Sequence, residues 1–224
     1  MERALRAASE GLGRTGANPL VGACLVRDGE GLAGAGHRVS GEDHAERRLM
    51  REAPDDLEGA TLYLTLEPCV QYRRTPPCLP LLVERGLQEV VLAAEDPHPS
   101  VNGAGVEALS ALDVPVRVGV NRADYRWLNR AYFYGQRTGY PWVDLKLALS
   151  ADGYLATPNR PSQWITGEES RHQGHRLRSR VDAVMVGGGT LRDDDPRLTD
   201  RVTGADHQPK AIVVVRSSRG VHPD

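Results

Sequence analysis

Cysteine, long apolar runs and an excess of charge of either sign are all missing from this 224-residue chain. It has only three cysteines, an odd number, and begins Met1-Glu2-Arg3 without a signal-like apolar stretch, so no disulfide framework is expected. No apolar run approaches the roughly 20 residues that a membrane-spanning helix needs. With 28 basic and 30 acidic residues, the chain carries no basic field of the kind that attracts nucleic acid. We expect a cytoplasmic protein that binds a small molecule and neither nucleic acid nor membrane.

Internal repeats and low-complexity tracts are also absent. The hydrophobic fraction of 40% and the charged fraction of 26% are ordinary for a globular protein, and the length suits one large domain or two small ones. After Asn121 the chain becomes aromatic and basic, and a new strand-like run begins at Trp142. We therefore predict two domains, at residues 1–138 and 139–224.

Strand-like and helix-like segments alternate in the first domain. The predicted strands are 20–26, 31–38, 60–66, 89–94 and 114–120, and the predicted helices are 4–12, 42–52, 79–85 and 105–112. Such alternation predicts a three-layer α/β fold with a mixed sheet. The second domain is thinner, with strands predicted at 142–149, 182–187 and 210–215, one helix at 168–179 and a polar loop after the second strand.

Three potential metal ligands lie in the first domain. His44 falls in the first turn of the helix predicted at 42–52, Cys69 follows the strand at 60–66, and Cys78 comes after eight intervening residues. One imidazole and two thiolates suit zinc, and a catalytic zinc keeps three protein ligands and an open fourth position, whereas a structural zinc has four. We predict a catalytic zinc site at these three residues.

Glu46 is the candidate proton carrier beside this site. Residues two apart on a helix do not share a face, so Glu46 should reach past the metal toward the substrate. Pro68 places Cys69 at the predicted start of a new helix, where free N–H groups favour the thiolate. Singly, a histidine or glutamate here is more often a surface residue, but His-x-Glu followed by Pro-Cys is the signature of zinc deaminases. The third cysteine, Cys24, is expected in the core.

The spacing of eight residues between Cys69 and Cys78 disfavours the nucleoside and tRNA deaminases, because those proteins have Cys-x-x-Cys. The relevant motifs are Asn18-Pro19-Leu20-Val21-Gly22, His44-Ala45-Glu46, Glu67-Pro68-Cys69, Arg74-Thr75-Pro76-Pro77-Cys78, Asp96-Pro97-His98-Pro99 and Gly103-Ala104-Gly105. In this order and spacing the chain resembles the bifunctional deaminase/reductases of riboflavin biosynthesis. The resemblance implies a cytidine-deaminase-like first domain followed by a dihydrofolate-reductase-like one.

The resemblance also implies a substrate, a phosphorylated pyrimidine. It is 2,5-diamino-6-(5-phosphoribosylamino)pyrimidin-4-one, whose 2-amino group would be removed by hydrolysis to give 5-amino-6-(5-phosphoribosylamino)uracil. Asn18 would bind the pyrimidine edge and Arg74 the phosphate. The alternative is that Arg73 and Arg74 are solvated loop charges. The chain departs from the family's Ser-His and Gly with Val70-Gln71 and Arg73, which affects substrate detail rather than zinc chemistry.

The second domain resembles the reductase half of the same family, which uses NADPH and through which the family self-associates as a homo-oligomer. By that resemblance the cofactor contacts are Trp164, Thr190 and Asp194, and the substrate contacts are Ser162, Arg178, Leu198 and Arg201. The ordinary alternatives are a core tryptophan and a loop-capping aspartate. The family's reductase continues beyond Asp224, so we expect the NADPH step to be absent or impaired here; stoichiometric NADPH consumption would contradict this.

Two other functions remain open. One is a deaminase for a cytosine, nucleoside or tRNA substrate, which the long cysteine spacing and the reductase-like second half disfavour. The other is a zinc-stabilised binding protein without turnover. Glu46 argues against the latter, because zinc binding alone does not require it.

Overall fold

The computed structural model describes residues 1–72, 76–155, 164–201 and 208–216. The chain forms two compact units, Met1–Val143 and Asp144–Asp224. Within the described ranges, no helix is long and apolar enough to cross a membrane. The domain boundary after residue 138 stays a prediction, although a helix of the first unit ends at Thr138.

The first unit contains five strands and six helices among its described residues. In chain order they are α1 (Glu2–Ser9), β1 (Gly22–Arg27), β2 (Glu30–Gly36), α2 (Ala45–Glu52), β3 (Thr61–Leu66), α3 (Leu79–Val83), β4 (Glu89–Ala94), α4 (Ala104–Ala111), β5 (Val116–Val118), α5 (Arg122–Leu128) and α6 (Arg130–Thr138). The strands form one sheet in the order β2-β1-β3-β4-β5. β1 is antiparallel to both β2 and β3, and the β3-β4 and β4-β5 pairs are parallel.

A tight hairpin joins β1 and β2. Arg27 pairs with Glu30, so the turn contains only Asp28 and Gly29, with φ angles of 52° and 81°. Asp-Gly with two positive φ angles matches the right-handed twist of the flanking strands. The sequence Arg27-Asp28-Gly29-Glu30 predicts such a turn between the strands at 20–26 and 31–38, and the structure confirms it, with β2 at the edge of the sheet.

Helices cover both faces of the sheet, as alternate residues of each strand require. On one face, buried Tyr125 of α5 packs with Ala93 of β4 and with Leu5 of α1. On the other face, Leu49 of α2 belongs to the main core together with Leu92 of β4; further buried members of that core are Leu25, Leu62, Leu64, Leu82, Val90 and Leu109. The predicted three-layer α/β fold of the first domain is confirmed.

Glycine lets α1 approach the sheet closely. A Cβ atom on Gly36 would lie 2.0 Å from the Ala7 carbonyl oxygen, and one on Gly22 would lie 2.0 Å from the Ala4 carbonyl oxygen. Gly34, on the same strand as Gly36, has room for a Cβ atom, because the nearest heavy atom, the Ala23 carbonyl oxygen, would be 3.8 Å away from it. Side chains at the first two positions would therefore push α1 off the sheet.

We expect Gly36→Ala to destabilise the first unit by about 1–3 kcal/mol or more, since the overlap is with backbone that cannot rotate away. Urea unfolding followed by circular dichroism would measure the loss. Gly34→Ala is the matched control and should be neutral or slightly stabilising, because glycine weakens a strand. Equal stabilities for the two variants would show that α1 does not lie as close to β2 as described.

Helices α5 and α6 were not predicted. They meet at Asn129, which is buried and holds the loop before β1: its side-chain oxygen accepts from the Leu20 N–H at 2.7 Å, and its amide donates to the Leu20 carbonyl at 3.1 Å. This residue interrupts the apolar spacing on which helix prediction depends. A contact 109 positions apart in the chain therefore decides the local structure.

The second unit contains α7 (Glu168–Arg178), β6 (Ala183–Gly187), α8 (Gly188–Asp194) and β7 (Lys210–Val214) among its described residues. β6 and β7 pair in parallel. The strand predicted at 142–149 is wrong, since residues 141–150 form neither helix nor strand. Its apolar alternation is suited to a sheet, but a strand exists only where a neighbour pairs with its backbone. The polar loop predicted after β6 is also wrong, because it begins with α8.

Candidate metal centre

Three elements bring the predicted ligands together. His44 is the residue at the N-terminal cap of α2, Cys69 lies two residues beyond Glu67, which follows β3, and Cys78 is the cap residue of α3. The nitrogen and sulfur atoms of the three side chains all lie within 4.8 Å of one another. Cys78 is fully buried and the other two are half-buried, so the cluster opens toward solvent on one side only.

The distances within this cluster fit a tetrahedral zinc ion. Zn–N bonds of about 2.0–2.1 Å and Zn–S bonds of about 2.3 Å at a tetrahedral angle place nitrogen and sulfur about 3.6 Å apart. His44 Nδ1 lies 3.6 Å from Cys69 Sγ and 3.5 Å from Cys78 Sγ. The three side chains thus have the donor types and the spacing of a three-ligand zinc site.

The pKa values of the two thiols are shifted in opposite directions. A hydrogen bond with the Cys78 thiol, reinforced by His44, lowers the pKa of Cys69 to about 4. The same bond, together with burial, raises the pKa of Cys78 far above its usual value. A divalent cation bound here would bind both residues as thiolates, and the two thiolates would neutralise its charge.

Cys69 does not begin a helix, so that part of the prediction is wrong. The helix starts ten residues later, at Leu79, and the Cys69 carbonyl accepts the N–H groups of Cys78 at 3.1 Å and Leu79 at 3.4 Å. The Cys78 N–H also donates to Cys69 Sγ at 3.3 Å. Backbone N–H groups at the start of α3 thus favour the Cys69 thiolate from across the loop, without Cys69 being in the helix.

Glu46 lies in the first turn of α2 and only 4% of its surface is exposed. Burial raises the pKa of its carboxyl group, while the neighbouring His44 lowers it. The charge of Cys69 raises this pKa further and a hydrogen bond with the Cys78 side chain lowers it, which places the carboxyl group beside the ligand cluster. A buried carboxyl group with a raised pKa next to a metal site is suited to receive and return protons near neutral pH.

His37 is a buried neighbour of the site that the sequence did not reveal. Its Nδ1 is 3.1 Å from the Asp43 carbonyl, and its ring packs edge-on against the His44 ring with centroids 5.9 Å apart. Burial lowers the pKa of His37, so its neutral form is favoured there. It supports the main chain directly before the first ligand. In the sequence, His37 was marked only by its place near the end of the strand predicted at 31–38.

Of the two predicted substrate residues of the first domain, the structure describes only Asn18. Asn18 is exposed between α1 and β1, and its amide donates to Ser40 Oγ at 3.1 Å in the loop that leads to α2. Arg74 lies outside the described residues, as does Arg73. Next to them, the Pro76 carbonyl accepts from Arg47 Nη2 of α2 at 3.3 Å. This contact holds the segment between the two cysteines to the helix that follows His44.

In the second unit the structure brings some of the predicted residues together. Arg178 donates to the Thr199 carbonyl at 3.2 Å, directly after buried Leu198, whose φ of 52° is left-handed. Burial, and next the positive charge of Arg201, lower the pKa of Arg178, while the negative charge of Asp200 raises it. The charges of Arg201 and Asp200 thus both act at Arg178, and buried Asp200 carries a negative charge in the same region.

The predicted cofactor residues are all exposed. Trp164 is 79% exposed and stacks under Arg171, whose guanidinium carbon is 4.7 Å from the ring centroid. It is therefore not the core tryptophan that was the alternative. Thr190 and Asp194 lie four residues apart on α8. Ser162 lies outside the described residues.

Two family models match the chain. Residues 1–94 match the zinc-binding region of cytidine and deoxycytidylate deaminases, and residues 141–223 match the RibD C-terminal domain. Among curated proteins, the riboflavin biosynthesis protein RibD of Actinobacillus pleuropneumoniae is 42% identical over 95% of this chain and 56% of its own length. The RibD of Escherichia coli K12 is 39% identical over 95% of this chain and 58% of its own length.

Solved structures of similar proteins have the same fold over most of this chain. RibD of Acinetobacter baumannii superimposes with a TM-score of 0.91 at 36% identity, over 97% of this chain and 63% of that protein. A diaminohydroxyphosphoribosylaminopyrimidine deaminase/5-amino-6-(5-phosphoribosylamino)uracil reductase of Thermotoga maritima gives 0.89 at 38% identity, over 95% of this chain and 61% of that protein. The predicted fold class is thus confirmed for both domains. The chain spans less than two thirds of the length of these relatives, and over that span it is similar to the RibD proteins of riboflavin biosynthesis.

Proposed function

We propose that this chain is a zinc-dependent deaminase of riboflavin biosynthesis. Its substrate would be 2,5-diamino-6-(5-phosphoribosylamino)pyrimidin-4-one and its products 5-amino-6-(5-phosphoribosylamino)uracil and ammonia. The observation that carries the proposal is the cluster of His44 Nδ1, Cys69 Sγ and Cys78 Sγ at zinc-like distances with buried Glu46 beside it. Zinc bound there would supply a Lewis acid that activates water at neutral pH.

The residues of the chain then divide the remaining tasks. Glu46 takes a proton from the attacking water and delivers it to the 2-amino nitrogen, which leaves as ammonia, while the second proton of the water moves to the adjacent ring nitrogen and a carbonyl forms at the same ring carbon. Asn18 binds the pyrimidine edge and Arg74 the phosphate. The sequence between the two cysteines favours this substrate over cytidine or adenosine, because RibD relatives share the long spacing.

The reductase step is a separate matter. Arg178 and Arg201 would bind the phosphate of the deaminated product, with Leu198 and Ser162 beside them. Trp164, Thr190 and Asp194 would lie along NADPH. The absence or impairment of this step in the chain, its self-association as a homo-oligomer and its location in the cytoplasm stay predictions.

The experiment that tests the deaminase is ammonia release by the zinc-loaded chain from three substrates compared at equal concentration. We expect release from the diaminopyrimidinone phosphate and little or none from cytidine or adenosine. Release from a nucleoside alone would move the function to another deaminase. A chain that binds zinc and releases ammonia from none of them would be a zinc-stabilised binding protein.

A further inference from the structure

A buried carboxylate lies two residues before the first cysteine ligand and is not part of the ligand set. Glu67 follows β3, where its own N–H donates to the Ala94 carbonyl at 3.1 Å and continues the pairing with β4. Only 4% of its surface is exposed. A carboxylate so deeply buried is stable only when other groups supply the hydrogen bonds that water would have made.

Backbone N–H groups from one segment provide those hydrogen bonds. Glu67 Oε1 accepts from the N–H groups of Asp96 at 2.7 Å and Gly103 at 2.8 Å, and Oε2 accepts from that of Gly105 at 2.9 Å. The last two N–H groups belong to the start of α4, where the helix dipole also favours a negative charge. One side chain therefore gathers both ends of the 96–105 segment.

The 96–105 segment packs against the residues on either side of Cys69. A Cβ atom on Gly105 would lie 2.4 Å from the Pro68 carbonyl oxygen, so the first turn of α4 touches the peptide group that joins Pro68 to the ligand. Beyond the ligand, Gln71 Nε2 donates to the Ser100 carbonyl at 3.2 Å. The 96–105 segment thus contacts the main chain before Cys69 and a side chain after it.

The first residue of the segment, Asp96, also contacts a helix. Asp96 Oδ1 accepts the N–H of His98 at 2.9 Å and the Tyr132 hydroxyl at 2.7 Å, and Tyr132 belongs to α6. The segment is therefore fixed to Glu67 at both ends and, through Asp96, also to helix α6. Movement of either anchor would be passed to the turn that carries Cys69.

From this arrangement we propose that Glu67 is a positioning residue of the metal centre: its carboxylate holds the 96–105 segment against the Pro68 carbonyl and so sets where the Cys69 sulfur lies. The inference rests on the proposed zinc site. Residues that orient metal ligands typically change metal affinity by 10–100-fold when replaced. Glu67 acts through the main chain before Cys69 and through the Gln71 side chain after it, rather than by contact with the metal.

The test replaces Glu67 with glutamine, which has the same shape but only one oxygen. Since all three N–H groups point at the carboxylate, one of them must then face the NH₂ group of the amide. We expect the zinc dissociation constant of Glu67→Gln, measured by competition with a chromogenic chelator, to rise by about 10–100-fold. The thiolate-to-cobalt absorption of the Co²⁺-substituted protein should change as well.

Glu89→Gln is the matched control, because Glu89 makes a surface ion pair with Arg117 at 3.3 Å and lies away from the ligands; its zinc affinity and cobalt spectrum should equal those of wild type. If Glu67→Gln lowers thermal stability but keeps wild-type zinc affinity and spectrum, Glu67 is only a structural residue and the inference is overturned. A wild-type chain that binds no zinc would instead overturn the proposed function and this inference with it.

A second variant decides the matter if Glu67→Gln does not fold. Gly105→Ala keeps the carboxylate but places a methyl group where the Pro68 carbonyl now lies, so it should displace the Cys69 turn directly. We expect a weaker zinc affinity and a changed cobalt spectrum from this variant too. Wild-type values in Gly105→Ala would overturn the inference.

Discussion

Replacing Glu46 with glutamine should lower the rate of ammonia release by about 10²–10⁴-fold while the protein keeps its zinc. This is the range that a positioned general acid–base group contributes. Glutamine has nearly the same shape and fills the same buried place in α2, but it can neither accept nor deliver a proton at neutral pH. The loss should appear in kcat more than in KM, since binding of the ring does not depend on proton transfer.

Two measurements make this prediction decisive. Zinc content by atomic absorption should be equal in wild type and variant, because Glu46 is not among the three ligand atoms that cluster together. Glu52→Gln, an exposed glutamate at the end of the same helix, is the matched control and should retain the wild-type rate. A Glu46→Gln variant with wild-type activity would assign the proton transfers to another group.

Replacing Cys78 with alanine should weaken zinc binding by at least about 100-fold, more than the loss of an outer residue produces. Cys78 is fully buried at the start of α3 and supplies one of the three clustered ligand atoms. With only two ligands left, zinc should no longer stabilise the fold. In wild type, zinc at 100 times its dissociation constant should add about 2.7 kcal/mol of stability, seen as a rise in Tm.

Cys24→Ala is the matched control for this experiment. Cys24 is also a buried cysteine, but it lies in β1, outside the ligand cluster, and burial raises the pKa of its thiol. Its zinc affinity and the zinc-dependent rise in Tm should match those of wild type. If Cys78→Ala keeps the full zinc-dependent rise, the metal is bound elsewhere and the proposed site is wrong.

Local sequence patterns predicted the first unit well. The Asp28-Gly29 hairpin, the alternation of strands and helices, and the order of His44, Glu46, Cys69 and Cys78 are all properties of short segments. Their spacing also indicated the resemblance to the deaminase/reductases of riboflavin biosynthesis, which the comparisons confirm. These features could be predicted because turn chemistry, apolar periodicity and motif order depend on neighbours in the chain.

The errors occurred where distant contacts decide the structure. The run 142–149 has strand-like alternation and yet is not a strand, because no neighbouring strand pairs with it. Helices α5 and α6 were missed because Asn129, which joins them, is present for its hydrogen bonds with Leu20. Leu20 lies 109 positions earlier in the chain, so this role cannot be deduced from the residues next to Asn129. Pro68 indicated a helix that begins at Cys69, but helix α3 begins at Leu79, directly after its cap residue Cys78.

By itself the sequence determined the fold class, the candidate ligands and the candidate proton carrier, since each depends on residue type and local spacing. Only the tertiary structure decided that the three ligand atoms meet at zinc-like distances, and that Glu67 holds the 96–105 segment against the turn that carries Cys69. The physical reason is that a carboxylate surrounded by backbone N–H groups has no signature in the sequence: its partners are any residues whose main chain lies close enough to donate.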